Sequence, residues 1–323
     1  MDKLNKYINS KPWISLHPRQ SKILFHWNRT ASKWRRQRPK TDVFFLSLPF
    51  FLVPAALVLS FYVVLSSSMP LFSQIIFLGF LHGWCAYSIA IYSLHECGAH
   101  RPCSKKWTEQ LDFKNVIYFL SANFCRLLGA DPSFYRSNHS SHHSQLGTEK
   151  DLTFTNWVNR RRFLKSICPG APFLIKSDYL VHIGEAWTRS KVLTISLTTL
   201  FLSFEAFVLK FFWGWLPSIC LLLLISPWVG NFLDRLRDST EHFLRPSDQQ
   251  LGSRDVGLGY YGWIVGGGPW GQAYHLTHHL LPSLPWYQQI VFGRRLQTLL
   301  RPEQRDLSTT FELLSKTWKA SAL

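Results

Sequence analysis

The chain of 323 residues is short of charge and of paired cysteine. Charged residues make up 17% of it, below the quarter found in soluble domains, while aromatics reach 15%, with 14 Trp and 25 Phe. That balance argues against an ordinary soluble domain. The six cysteines, Cys85, Cys97, Cys103, Cys125, Cys168 and Cys220, form no C-x-x-C pair. The spacing argues against a thiolate zinc site and a disulfide framework, and leaves reduced, buried thiols as the expectation. Acid is scarcer still: 19 Asp and Glu stand against 36 Lys and Arg, a net charge of +17. Such an excess suits an anionic membrane surface or an acidic protein partner. With no zinc-finger spacing and no aromatic-basic RNA-binding signature, no nucleic-acid partner is expected. No apolar core precedes Asp42, so no cleavable signal peptide is expected. Nor does Ala320-Ser321-Ala322-Leu323 carry a lipidation or retention signal.

What is present is apolar residues gathered into blocks. Four stretches, about 43–65, 71–94, 192–212 and 215–233, are apolar nearly all round. As helices of roughly 20 residues, each reaches across a bilayer core. Helices of a soluble bundle would instead keep a polar stripe. Pro49 and Pro54 inside the first stretch are tolerable in lipid. The short links Ser66-Ser67-Ser68-Met69-Pro70 and Phe212-Trp213-Gly214 fold the spans into two hairpins. Basic residues give the orientation: residues 1–40 hold eleven Lys or Arg against Asp2 alone, and near the two tips only Lys210 is found. Both termini and the long middle segment are therefore expected in the cytoplasm. The expected organisation is a basic cytoplasmic N-terminal segment (1–40), a membrane domain (41–290) and a cytoplasmic C-terminal tail (291–323). His82 and Glu205 are polar exceptions inside the spans. Such groups are functional candidates by default, and neither is given a role. Between the hairpins lie an amphipathic piece, Phe113–Leu128, and a basic run, Arg160-Arg161-Arg162, suited to lipid headgroups. A Gly-rich stretch from Gly257 to Gly271 is suited to packing closely around a site.

Nine of the 13 histidines follow a pattern. His95 and His100 end the second span. His139, His142 and His143 form one H-x-x-H-H cluster, and His275, His278 and His279 form another. His242 follows the fourth span, four residues after Asp238. On a helix, residues three and four apart share a face, so each H-x-x-H-H set can point at a common metal. The charge rule returns all nine to one side of the membrane, where they can meet. One zinc takes three or four protein ligands, so nine imidazoles are too many for it. Two iron ions sharing them fit the count and leave positions open for O2. Soluble di-iron bundles use carboxylates with Glu-x-x-His pairs instead. His17, His26 and His182 read as headgroup or surface residues.

From His95-Glu96-Cys97-Gly98 through the two H-x-x-H-H boxes to the trailing Leu280-Leu281-Pro282-Ser283-Leu284-Pro285-Trp286, the chain resembles the membrane fatty-acid-desaturase superfamily over about residues 43–290. The resemblance implies an all-α membrane protein with four transmembrane helices and a cytoplasmic helical cap that holds a di-iron site. It implies that His95, His100, His139, His142, His143, His242, His275, His278 and His279 are ligands. Acyl-CoA desaturases place an Asn four residues before the extra histidine; here that position is Asp238, a departure that makes a carboxylate a possible ligand. Glu96, Asp234, Asp238 and Glu241 are candidates to orient imidazoles, with pairing to Arg101, Arg235 or Arg237 as the plainer alternative.

The activity implied is an O2-dependent desaturation of a fatty acyl or related lipid chain drawn from the bilayer. The alternative within the superfamily is a hydroxylase or ketolase acting on a carotenoid or other lipid. From another class, a zinc-dependent membrane hydrolase would need few histidines and no reductant. His17-Pro18-Arg19 does not resemble the haem-binding His-Pro-Gly-Gly of b-type cytochromes, so an external donor such as a ferredoxin or a b-type cytochrome is expected. The expected location is a multi-pass position in a bacterial inner membrane or the endoplasmic reticulum, with the active site cytoplasmic.

Overall fold

The computed structural model describes residues 16–93, 95, 139, 142, 143, 189–242, 253–257, 259–270, 273–282 and 284–301. Phe113–Leu128 and Arg160-Arg161-Arg162 lie outside these residues, as do His100, Glu96 and His182. The described elements are helical: α1 (Pro18–Gln37), α2 (Pro39–Leu65), α3 (Leu71–Ile91), α4 (Arg189–Trp213), α5 (Trp215–Cys220), a π-helical turn (Leu221–Ile225), α6 (Ser226–His242), α7 (Tyr260–Ile264), α8 (His275–Leu280) and α9 (Trp286–Leu299). The only β pairing among them is an isolated bridge between Asp255 and Tyr274. Among the described residues, four stretches are long and apolar enough to cross a membrane: Lys40–Leu65, Leu71–Ile91, Ile195–Trp213 and Trp215–Asp234. They fall on the four apolar blocks of the sequence. The chain divides into two compact units, one of Ser47–Arg136 and Leu164–Asp234, the other of Met1–Leu46, Ser137–Phe163 and Arg235–Leu323.

In the first unit the spans turn large apolar side chains outward, among them Phe72, Leu200, Phe211 and Leu216. Hydrocarbon tails solvate such a surface, and water does not. Its core packs Val64, Leu78, Leu209, Leu221 and Leu222 together. Gly79 and Gly83, one turn apart on α3, let the backbones come unusually near. A Cβ on Gly83 would stand 2.5 Å from the Ser226 carbonyl oxygen, and one on Gly79 2.5 Å from Ile225 Cγ2. This is the small-x-x-x-small contact that membrane helices use when burial alone offers no drive. The π-helical turn sits at that contact, immediately before Ser226. Nothing in the hydropathy pattern marks it.

The second unit begins with α1. His17 caps it: the ring accepts a hydrogen bond from the Arg19 N–H, and the Gln20 carboxamide oxygen accepts one from the His17 N–H. Pro39 ends the helix by pushing Arg38 out of helical geometry, at φ −132°. The corner that follows is fixed by Asp42. Its two oxygens share the Arg35 Nε–H, each at 3.1 Å, and one accepts from Arg35 Nη2 at 3.0 Å. The carboxylate accepts a further short hydrogen bond from the Tyr287 hydroxyl. Leu24 and Ala31, seven apart and so on one face, enter a core with Leu276, Leu281, Phe292 and Leu296. Gln20 donates to the Leu299 carbonyl at 2.9 Å, and Trp27 lies against Phe292 with ring centroids 5.4 Å apart. A segment that reads as a basic N-terminal stretch is thus a packed helix, clamped to α8 and α9.

Candidate metal centre

Seven of the nine pattern histidines belong to the second unit and are described: His139, His142, His143, His242, His275, His278 and His279. Their ring nitrogens form two groups. His142, His242, His275 and His279 each bring one nitrogen within 4.8 Å of all the others; His139, His143 and His278 do the same. The sequence spacing predicts one common metal for each box, and the structure divides each box instead. His139 and His143 go to one group and His142 to the other; His275 and His279 go to the second and His278 to the first. The reason is angular. Residues four apart are offset by about 40° around a helix, but residues three and four along are about 100° from each other, so they straddle the face. His143 and His279, one from each group, stack with ring centroids 4.3 Å apart.

The closest contacts decide what the groups can do. Nε2 of His275 lies 2.8 Å from Nε2 of His242 and 3.0 Å from Nε2 of His279. Nε2 of His143 lies 3.0 Å from Nε2 of both His139 and His278. A ring nitrogen carries one proton at most, so His275 can donate to only one of its two neighbours. A cation at the centre satisfies every lone pair together. Burial excludes competing water, since His242, His275 and His278 are at most 3% exposed. The donor set fits a borderline metal ion.

Charged groups back this array. The fully buried Glu241 stands 3.6 Å from His275 Nε2 and accepts a 2.7 Å hydrogen bond from Arg237. The arginine pairing of Glu241 is thus present, and its carboxylate also lies beside the His275 ring. Arg254 donates to the Thr240 carbonyl at 3.0 Å, and Tyr261 donates its hydroxyl to Thr240 Oγ1 at 2.9 Å. Burial first, and then the Glu241 carboxylate, push the Tyr261 hydroxyl pKa up and keep it a donor.

Asp255 is a residue that the sequence pattern does not single out. One carboxylate oxygen accepts the Thr277 N–H at 2.9 Å, and the other accepts the Thr277 hydroxyl at 2.8 Å. Tyr274, at the N-cap of α8, supplies no side-chain cap. Asp255 fills that role from 22 residues away, and so fixes the helix that carries the last histidine box. Burial raises its pKa to about 6, against the lowering effect of its bonds to Thr277 and Gln297. The Gly-rich stretch brings Asp255 there: Gly257 has φ +71°, and a Cβ on Gly262 would collide with the Gly257 carbonyl. The only advance signal was that glycine run.

His95 is buried and lies in the first unit, at the end of the second span. Asp234 is half-buried. Asp238 lies on α6, and its side chain is outside the described residues. His100 and Glu96 lie outside them too. His82, left without a role by the sequence, bonds Ser226 Oγ through Nδ1 at 2.7 Å and Glu205 Oε1 through Nε2 at 3.2 Å.

Four apolar spans and two groups of convergent, buried imidazoles define an all-α integral membrane protein with metal-binding histidine clusters. The sequence also matches the family model described as fatty acid desaturase over residues 66–302. The chain belongs to that family, and it is an oxidoreductase of lipid metabolism. No individually curated protein matches the sequence.

Proposed function

We propose that this chain is a membrane di-iron desaturase that introduces a double bond into a fatty acyl or related lipid chain. The observation that carries the reading is the division of seven imidazoles into two adjacent groups with edges of 2.8–3.0 Å. One ion per group accounts for the division. His95 and His100 complete the set of nine ligands, and Asp238 or Glu241 supplies a carboxylate ligand or an imidazole partner. Glu96 and Asp234 are further partners of the rings. Iron suits this ligand set and, when bound, supplies the oxidising chemistry with O2.

The protein's own part is to hold, orient and exclude. Buried imidazoles keep water from the oxidant, and Glu241, held by Arg237, puts a carboxylate beside the converging nitrogen of His275. The overall reaction balances with two hydrogens from the lipid, two electrons from a donor and two protons reducing one O2 to two waters. The electrons come from an external carrier, an acidic ferredoxin or a b-type cytochrome, drawn to the basic surface. We place both termini and the histidines in the cytoplasm, with the spans paired as two hairpins. Residues 1–40, 41–290 and 291–323 form the N-terminal segment, membrane domain and tail of that arrangement. The membrane is a bacterial inner membrane or the endoplasmic reticulum.

The test is metal content and product mass together. Detergent-purified protein should hold about two irons per chain and, with O2 and a reductant, convert a lipid to a product lighter by two hydrogens. Gain of an oxygen instead would make the chain a hydroxylase or ketolase of a carotenoid or other lipid. One zinc and activity without O2 would replace the reading with a membrane hydrolase.

A further inference from the structure

An open groove of about 390 Å³ lies between α1 and the last histidine box, within the second unit. One wall is α1, which contributes Ser21, Leu24, Phe25 and Asn28. These residues are spaced i, i+3, i+4 and i+7 and so occupy one helical face. The opposite wall includes His143 and His279, one from each imidazole group, with Leu280 and Leu281 beside them. The space exceeds what single waters need. Its lining is mixed in a telling way: leucines and a phenylalanine for a chain, one hydroxyl and one carboxamide for a polar end, and two metal-site rings.

We infer that this groove binds the substrate's acyl group, and that α1 measures the substrate, with Ser21 and Asn28 holding the acyl carbonyl while the chain runs past His143 and His279. The inference rests on the desaturase reading and adds to it a recognition element from the N-terminal helix. Three observations support that assignment. The wall is preorganised, because α1 is pinned by Gln20 to the Leu299 carbonyl and by Leu24 and Ala31 to the core, so binding costs little ordering. The exposed cations Arg19, Lys22 and Arg29 surround the polar side of α1, with Arg29 5.8 Å from the Phe25 ring centroid, which favours an electron-rich carbonyl or carboxylate there. The distance from a fixed carbonyl to the two rings then selects which carbon is oxidised.

Photolabelling of the full-length protein in nanodiscs tests this. The probe is an 18-carbon acid carrying a mid-chain diazirine, supplied as the free acid and, separately, as its phosphatidylcholine ester. Labelling should fall on the Ser21–Asn28 and Leu280–Leu281 peptides and be competed by unlabelled oleate or its ester. The form that labels identifies the source of the acyl group, a soluble acid or a bilayer lipid. Ser21→Trp, which fills the groove from an exposed position, should lower this labelling by about tenfold or more at unchanged iron content. Asn28→Leu, of similar volume, should weaken labelling less and move the position of the new double bond. Labelling confined to the spans, or unaffected by Ser21→Trp, overturns the inference. Groove labelling in protein that holds no iron would uphold the binding site while ending the di-iron reading.

Discussion

His82 and His275 are both imidazoles shut away from solvent, one in the spans and one among the histidine boxes, and they solve that burial in opposite ways. His82 has an ordinary partner at each nitrogen. One tautomer, with the proton on Nε2, lets the ring donate to Glu205 and accept from the Ser226 hydroxyl, at 3.2 and 2.7 Å. No further ion is needed. His275 faces other imidazoles at 2.8 and 3.0 Å, and no assignment of protons satisfies all of those lone pairs. Burial of a histidine therefore says little about function. Whether its partners can share protons among themselves says a great deal.

The sharpest way to break the contrast is to remove one ring from each side. His278→Ala or His142→Ala should abolish metal at the affected group and lower turnover on the order of a thousandfold or more, since the proposed reaction draws its chemistry from the metal. His82→Ala should leave metal content unchanged. Elemental analysis with a turnover assay checks both. Iron lost from His82→Ala, or retained in full by His278→Ala, would erase the distinction.

Glu241 sharpens it next. Its carboxylate is fully buried, bonded to Arg237 and 3.6 Å from His275 Nε2. Glu241→Gln keeps the shape and removes the charge. Affinity for iron should fall by about 10- to 100-fold, as for other groups that support a ligand. Competition with a chelator of known affinity gives the number. A variant that holds iron as tightly as the parent would reduce Glu241 to a partner of Arg237 alone.

In the spans the cost should appear as stability instead. His82→Ala leaves Ser226 and Glu205 facing each other across a gap, at about 1–3 kcal/mol for the unsatisfied groups. Glu205→Gln keeps a hydrogen-bonding partner and should cost less. Thermal unfolding in a fixed detergent would show it. The two Tm values should fall below the parent in that order, and the reverse order would mean that charge, rather than hydrogen bonding, holds the cluster.

Much of this contrast is legible in the sequence, and the illegible part has a physical cause. The spans are found within a few residues because hydropathy is a local sum. The π-helical turn at Leu221–Ile225 is not, because it lies at the tertiary contact with Gly79 and Gly83, which hydropathy does not register. Helical spacing brings His139, His142 and His143 near one another, but their division between two groups needs the facing box to be in place. The N-terminal helix is the clearest case. Its basic residues read as a cytoplasmic segment, although Leu24, Trp27, Ala31 and Trp34 recur at helical spacing. That stripe, weighed against the charge, would have predicted a packed face.

Asp255 offers the smallest effect and the one most specific to architecture. Its folded pKa, raised by burial to about 6 from 3.8, lies above its unfolded value. The folded state thus holds this proton more tightly, and the stability that it contributes is full below pH 3.8 and is lost as pH rises to about 6. Asp255→Asn keeps an oxygen to cap α8 at the Thr277 N–H but cannot ionise. The difference in Tm between variant and parent should therefore move in favour of the variant between pH 4.5 and 6.5, while shared histidine titrations cancel in the comparison. A difference that stays flat with pH would mean that the bonds from Thr277 and Gln297 already hold the carboxylate charged. Asp255 would then be a charged cap on the helix that carries the last histidine box, and the hydrogen bonds, rather than burial, would govern its proton.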